Sequence, residues 1–347
     1  MALEIKTVES DPALEADYRG VIDCSPDSTA LHTLEWRNIL KDTLRDTSAY
    51  FVCYDGPDPA GVLPTFTRTT GLGSVMNSLA FSGSYGGACI SKHAGDKTAV
   101  LKKLLSHAID YARASGCLTA TFIMSPFSYG YKNSYIDILK PDFIYDRFTQ
   151  VSCLSEPLKP KPSVRNHVSK AERLGVRLDT ELTDSNLARF YEIYCSNMRH
   201  LGLESKPLSF FQSLVKNMAS TGLARFRFAM AGDEMVSGLL TLNYGNGVMS
   251  HETVFDRKHS RFQGNSFLLD IALRDAMNEG YSYFNWGASE NRESGVYKFK
   301  AAWGAGEMPY HYFTCKLSDC SSLSVAGPAG ILGAFSRFYF VIPFSAI

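Results

Sequence analysis

Residues 248–313 read VMSHETVFDRKHSRFQGNSFLLDIALRDAMNEGYSYFNWGASENRESGVYKFKAAWGAGEMPYHYF. This stretch predicts a strand, a loop, a helix, a strand, a loop and a strand in that order. Val248–Phe255 is predicted as the first strand. Apolar residues at helical spacing after Gly264 predict the helix, and Gly280 ends it. Tyr281–Trp286 has the pattern of a buried strand. The rest of the chain is interpreted around this strand–helix–strand unit.

The loop before the predicted helix is a candidate phosphate-binding turn. Gly264 would let the backbone approach a ligand closely, and the amides of Asn265, Ser266 and Phe267 are expected to lack partners at a helix N-terminus. Such an end favours phosphate through its free N–H groups and the helix dipole. Arg261 would add a charge-assisted contact to the same anion. A plain glycine turn that starts a helix is the structural alternative, and both interpretations remain open.

The segment after the second strand places two lysines close together. If Gly295–Lys300 is extended, Lys298 and Lys300 share one face, and Tyr297 and Phe299 share the other. Two lysines near a phosphate-binding turn favour an anionic substrate. Solvated lysines on an edge strand, with core aromatic residues behind them, are the alternative.

The composition is that of an ordinary globular protein. The chain has 347 residues, 45% hydrophobic and 20% charged, so two domains are expected. Thirty-five acidic against thirty-five basic residues leave no net charge, so a nucleic-acid partner would need a local basic patch. The eight cysteines are scattered without a C-x-x-C pair, which predicts reduced thiols and no metal site. The N-terminal segment has no apolar core, so we expect no signal peptide and a cytoplasmic location.

Two motifs carry a resemblance to a known family. The R-x-x-G-x-S turn at 261–266 resembles the pyrophosphate-binding motif of GNAT acyltransferases. Together with the block formed by Phe284–Gly287 and Gly295–Lys300, it is similar to the FemAB branch of that superfamily. This branch includes aminoacyl-tRNA-dependent ligases of peptidoglycan cross-bridges and many polysaccharide-locus acyltransferases. The resemblance implies that Lys300 neutralises an oxyanion or a phosphate. The other residues of the block that it implies for acceptor binding are Trp286, Tyr297, Lys298 and Phe299.

The order of elements predicts an α/β fold class with two tandem GNAT-like domains, each a mixed, mostly antiparallel sheet flanked by helices. We place the N-terminal domain at 1–155, a proline-rich linker at 156–163, the C-terminal domain at 164–318 and an apolar tail at 319–347. Three prolines in the linker cannot continue a helix or a sheet ladder.

Three further groups of residues are candidates for the site. Tyr85 and Gly86 lie in a glycine-rich loop, Phe81–Gly87, which either shapes the acceptor groove or is a structural turn. His251 and Glu252 lie on the strand before the phosphate turn, and either could relay a proton, although adjacent strand residues point to opposite faces.

The third group is the basic segment Lys159–Arg177. Arg165 and Lys170 are its acceptor-binding candidates, and Lys170, Arg173 and Arg177 would share a helical face. Such a face could bind the phosphates of a nucleotide sugar, CoA or tRNA. A solvated surface helix is the alternative.

No nucleophile constellation is present, so direct attack by an acceptor amine on a bound thioester or ester is expected. No cofactor is expected to be bound permanently; the donor is acyl-CoA or aminoacyl-tRNA. The expected acceptor is an amine-bearing sugar, or a lipid-linked or nucleotide-linked amine, in envelope or glycan biosynthesis. The alternative function is that of a GNAT-like scaffold without catalysis, which acts as a binding component of an envelope assembly. From Ser321 the tail has a single charge, Arg337, and is expected to pack on the body or to contact the inner membrane face.

Overall fold

The computed structural model describes residues 3–8, 11–44, 46–80, 85–335 and 341–342. It divides into two compact units, residues 1–148 with 309–347, and residues 149–308. Residues 81–84 of the predicted glycine-rich loop and Arg337 of the tail lie outside the described residues. The division at 155 and 164 stays a prediction.

The first unit has these elements: β1 (Leu3–Val8), α1 (Pro12–Cys24), α2 (Leu34–Leu44), β2 (Thr47–Asp55), β3 (Asp58–Thr70), β4 (Gly73–Ser78), β5 (Cys89–Ile90), α3 (Lys97–Ala114), β6 (Cys117–Ile123), α4 (Lys132–Leu139) and the start of β7 (Phe143–Cys153). The end of β13 (Gly306–Lys316) and α10 (Ser321–Phe335) complete it. Its strand order is β1-β2-β3-β4-β6-β13, with β5 beside β3. Among the strand pairs of the described residues here, only β4 and β6 run parallel.

The second unit repeats that plan. After the end of β7 it has α5 (Pro162–Arg173), β8 (Arg177–Asp179), α6 (Asp184–His200), α7 (Leu208–Leu214), β9 (Ala224–Ala231), β10 (Glu234–Tyr244), β11 (Gly247–Phe255), α8 (Gly264–Asn278), β12 (Tyr283–Ala288) and α9 (Gly295–Ala302). Its strand order is β7-β12-β11-β10-β9-β8, and only β11 and β12 run parallel. Each unit thus has a mixed, mostly antiparallel set of strands with flanking helices, which confirms the predicted fold class.

Local sequence explains several helix ends. Asp96 accepts a hydrogen bond from the Ala99 amide at 2.9 Å and caps α3, and Gly116, with φ +68°, follows its last turn. Thr183 caps α6, because its hydroxyl accepts a hydrogen bond from the Asn186 amide. α3 then buries one apolar face, which includes Val100, Leu104 and Ala108.

The segment Gly295–Lys300 is not extended, so that prediction is wrong. It is the start of α9, because the Ser294 hydroxyl accepts from the Tyr297 amide at 3.1 Å and begins a helix. Since residues two apart on a helix lie on nearly opposite sides, Lys298 is exposed and Lys300 is buried. The last strand of the stretch is β13.

The parallel pair in the first unit is hydrogen-bonded along its length. Its register runs from Ser74 opposite Cys117 to Ser78 opposite Phe122. Beyond that point the Ile123 amide donates to the Ser78 hydroxyl at 2.8 Å, and the Ile123 carbonyl accepts from the Gly86 amide at 2.9 Å. The end of this strand pair is therefore occupied by the chain itself.

The tail packs through three buried side chains of α10, Leu323, Ile331 and Phe335. A kink at Gly327, just before Pro328, interrupts the helix. Within the described part of the chain, no helix combines the length and apolarity required to traverse a bilayer.

Asp27 provides a pH-dependent contribution to stability. Its side chain is 8% exposed, and burial raises its pKa from 3.8 to about 6, with Lys97 opposing the rise. Because the folded state keeps this proton to higher pH than the unfolded state, stability is lost as pH rises from 3.8 to 6. We expect Asp27→Asn to raise the free energy of unfolding by about 3 kcal/mol above pH 7 and to have little effect near pH 3.5. Urea unfolding at both pH values checks this, with exposed Asp58→Asn as the control; an equal gain at both pH values would contradict it.

Candidate active site

The two parallel strands of the second unit separate before they end. β11 and β12 are paired at three positions only, from Gly247 opposite Tyr283 to Met249 opposite Asn285. Beyond Met249, β11 continues to Phe255 beside β10. Its other edge, over residues 250–255, has no strand partner within the described residues.

Two β-bulges accompany this separation. His251 is the extra residue where Leu240 faces Glu252 and Thr241 faces Ser250. On β12, Trp286 and Gly287 occupy the positions between Asn285 and Ala288 where β7 has only Gln150. Gly287 adopts φ +75°, a left-handed conformation that favours glycine. The bulges leave a gap between the carboxyl ends of the two strands, which is where α/β folds bind ligands.

Helix α8 begins at Gly264, as predicted, but its first turn has structural partners. A Cβ on Gly264 would lie 2.7 Å from the Cβ of Ser237 on β10, so the glycine is required for helix–sheet packing. The Ser237 hydroxyl donates to the Asn265 side-chain oxygen. The Phe267 amide donates to the Gln263 carbonyl at 3.2 Å, so the prediction that this amide lacks a partner is wrong.

The remaining members of the turn differ in exposure. Ser266 is buried, whereas Arg261 is exposed with its guanidinium 4.8 Å from the Phe262 ring centre. Arg261 is thus available to an anion at the helix start, while a substitution such as Gly264→Arg would disturb the core as well as the turn.

Lys300 lies on α9, and its ammonium reaches the end of β12. Its side chain is 8% exposed, and its ammonium donates to the carbonyls of Gly287 at 2.9 Å and Ala288 at 2.8 Å. Burial lowers its pKa to about 8. Two of the three ammonium hydrogens hold the β12 bulge, which leaves one for a ligand.

Gln150 supports the same corner. Its amide donates to the Tyr297 carbonyl at 3.2 Å, and its side-chain oxygen accepts from the Ser289 hydroxyl at 2.8 Å. These contacts tie α9 to the end of β12. Sequence reasoning did not select Gln150 or Ser289, because a lone glutamine in a strand carries no motif.

His251 and Glu252 both lie near Lys206, and their assignment to the site stays a prediction. The bulge at His251 breaks the alternation of the strand. Lys206 donates to the Glu252 carboxylate, and the His251 ring centre lies 6.1 Å from that of Phe210, whose ring is 5.3 Å from the Lys206 ammonium. Loss of hydration, followed by the Lys206 charge, holds the His251 pKa well below 6.5, which makes it a weak base.

The predicted acceptor residues of the second unit are divided between surface and core. Tyr297 is half-buried and donates to Glu307 at 2.8 Å, and Lys298 is exposed. Phe299 packs against the core, and Trp286 is buried with its indole N–H donating to Ser152 at 2.9 Å. Trp286 therefore has a structural role in this arrangement.

Tyr85 and Gly86 are core residues of the first unit. The Tyr85 ring is buried 5.1 Å from that of Tyr310. A Cβ on Gly86 would overlap the Ser78 carbonyl oxygen. Their assignment to an acceptor site stays a prediction.

The basic segment is partly helical. Arg165 and Lys170 are exposed on α5, whose opposite face buries Val164, Val168 and Ala171. Arg177 lies on β8, so the predicted face shared by Lys170, Arg173 and Arg177 is wrong; Gly175, with φ +72°, follows the end of the helix.

Comparison with known proteins gives one family and many structures. Residues 161–301 match the acetyltransferase (GNAT) domain family. No curated protein sequence matches the chain significantly. The fold is similar to FemX, with a TM-score of 0.70 and 11% identity over 89% of this chain and 97% of that one.

Two further structures share the fold. A tandem GNAT protein from the clavulanic acid biosynthesis pathway has a TM-score of 0.58 and 13% identity, over 92% of this chain and 99% of that one. L-PGS from Bacillus licheniformis has a TM-score of 0.57 and 14% identity, over 90% and 94%. The resemblance predicted from the sequence is confirmed at this level: residues 161–301 match the acetyltransferase (GNAT) domain family, and the chain shares the fold of FemX and of the tandem GNAT protein.

Proposed function

We propose that the chain is an N-acyltransferase that moves an acyl group from an activated donor to an acceptor amine. The observation that supports this most is the open edge of β11 after Met249, which lies beside the bulge at His251 and before the start of α8. A donor with an amide-containing arm and a pyrophosphate suits such a place, because the strand edge offers main-chain hydrogen bonds and the helix start offers N–H groups.

Acyl-CoA is the donor that we favour. It has an amide-containing arm that can pair with a strand edge and a pyrophosphate that can reach Arg261, Asn265 and Ser266. The similar tandem GNAT protein is described with reference to AcCoA. For the acceptor we propose an amine on a cell-envelope precursor, as the FemAB resemblance of the sequence suggests.

Three side chains receive proposed roles in the transfer. The Lys300 ammonium, fixed by two carbonyls, directs its remaining hydrogen at the oxyanion of the tetrahedral intermediate. Glu252 accepts the proton that the acceptor amine must lose. Because its low pKa makes His251 a poor proton acceptor, its proposed role is to shape the bulge and not to take a proton.

An aminoacyl-tRNA donor is the second candidate. It is favoured by the exposed cations Arg165, Lys170 and Arg173 on α5, which face away from the buried side of that helix. Phosphate contacts of this kind would make donor binding steeply dependent on salt concentration.

Arg261→Ala tests the proposed donor site. We expect the dissociation constant for acetyl-CoA to rise about 10–100-fold, because a charge-assisted hydrogen bond to phosphate is lost. Isothermal titration calorimetry measures it. Arg274→Ala is the matched control, because Arg274 is also exposed on the α8 side of the molecule but pairs with Asp270.

The outcomes separate the candidates. Binding of aminoacyl-tRNA but not of acetyl-CoA would select the second donor. Binding of either donor without transfer to any amine would favour a binding component over an enzyme. No binding of either would contradict the proposed function.

A further inference from the structure

The side-chain amine of Lys206 lies against the β11 bulge at His251. It precedes α7 in the segment that follows α6, and its backbone is fixed on both sides. The Lys206 amide donates to the Tyr194 hydroxyl and its carbonyl accepts from the Tyr191 hydroxyl, each at 3.2 Å. The side chain is therefore anchored at its base by two tyrosines of one helix.

The side chain of Lys206 is directed inward. It is 11% exposed and donates to the Glu252 carboxylate, which is 12% exposed. Its ammonium also lies 5.3 Å from the Phe210 ring. A surface ion pair of two long side chains would contribute little to stability. This pair instead holds a primary amine at the carboxylate that flanks the open edge of β11.

We propose that Lys206 is an acceptor of this enzyme, so that the chain acylates its own Lys206 Nζ. This inference rests on the proposed function. An N-acyltransferase requires an amine, a group that takes its proton, and an activated acyl group at one place. Lys206 and Glu252 supply the first two within hydrogen-bonding distance, and the strand gap supplies the proposed place for the third.

The step balances with acyl-CoA as the only co-substrate. Glu252 takes a proton from the Lys206 ammonium, and the free amine attacks the thioester carbonyl. The C–N bond forms and the C–S bond breaks. The amide nitrogen loses its second proton, one proton leaves with the CoA thiol, and the other passes from Glu252 to water. With aminoacyl-tRNA as donor, an ester C–O bond breaks instead.

Self-acylation would also change Glu252. The amide of acylated Lys206 has no charge, so the ion pair disappears and the carboxylate becomes available to a second amine. An acylated chain is therefore expected to transfer to an external amine without the initial lag of the unmodified chain.

The test uses the full chain with labelled acetyl-CoA and no added acceptor. Peptide mass spectrometry is expected to locate one acyl group on Lys206, at a rate per chain that does not depend on chain concentration. Lys206→Arg abolishes the label, Glu252→Gln slows it, and Lys216→Arg, which changes an exposed lysine, leaves it unchanged. Because the mapping is made on the unmodified sequence, it does not depend on the folding of any variant.

Two results would overturn the inference. One is label spread over exposed lysines such as Lys298 at the rate seen with heat-denatured chain, which is chemical acetylation. The other is turnover of an external amine while Lys206 stays unmodified with both donors; this result leaves the proposed function intact. Absence of both donor binding and turnover removes the proposed function and the inference together.

Discussion

Lys300→Ala is expected to lower kcat/KM for acyl transfer by about 10²–10³-fold, the usual effect of removing one oxyanion donor. The variant loses the ammonium that is fixed by the Gly287 and Ala288 carbonyls, and no other described cation donates to those two atoms. Steady-state kinetics measure the change, and a thermal melt verifies that the variant is folded.

Lys298→Ala is the matched control, since Lys298 lies on the same helix but is exposed. It is expected to keep kcat/KM within about two-fold, in line with the small effect of surface changes. Equal losses in the two variants would contradict the assignment of Lys300.

The pH profile gives an independent check of the same residue. Because burial lowers the Lys300 pKa to about 8, the ammonium form is lost as pH rises through that value. Transfer that depends on this charge falls above pH 8, whereas Lys300→Arg keeps its charge and extends the active range to higher pH. A wild-type profile that is flat to pH 10 would contradict the role.

Gly86→Ala is expected to cost about 3 kcal/mol or more of unfolding free energy, because the added Cβ overlaps the Ser78 carbonyl oxygen. That oxygen belongs to the backbone of β4, so a rotamer change cannot relieve the overlap. Urea unfolding measures the loss.

Gly20→Ala provides the contrast. Gly20 lies inside α1 with no neighbouring atom within 4 Å of an added Cβ, so alanine should stabilise the helix by about 0.5–1 kcal/mol. If Gly86→Ala were as stable as the parent chain and only weakened acceptor binding, Gly86 would be a site residue and not a packing residue.

The periodic parts of the chain could be predicted from the sequence. α3 (Lys97–Ala114) is such a part, because its apolar residues recur at helical spacing and are the ones that it buries. The doubled order of strands and helices also followed from pattern alone.

The parts that failed depend on short-range capping and on irregular strands. α9 is short, and its apolar and lysine residues alternate, so the sequence pattern fits a strand. The segment is helical because Ser294 caps its N-terminus. Similarly, the bulge at His251 has no sequence signal, yet it brings His251 and Glu252 to the same lysine. Lys206 lies in a loop, where periodicity gives no information about partners.

The hydrogen bonds of Ile123 in the first unit bear on the number of donor molecules that one chain can bind. Its amide and carbonyl are already bonded to Ser78 and Gly86, so the β4–β6 pair is sealed at the position where β11 and β12 diverge. The amide-containing arm of a donor could not pair with these main-chain groups, because they are already hydrogen-bonded. If the donor binds at the open edge of β11 as proposed, the described residues of the first unit offer no equivalent place at Ile123. One donor molecule per chain is then expected, and the sealed copy is free of the constraints that donor chemistry imposes on the open one.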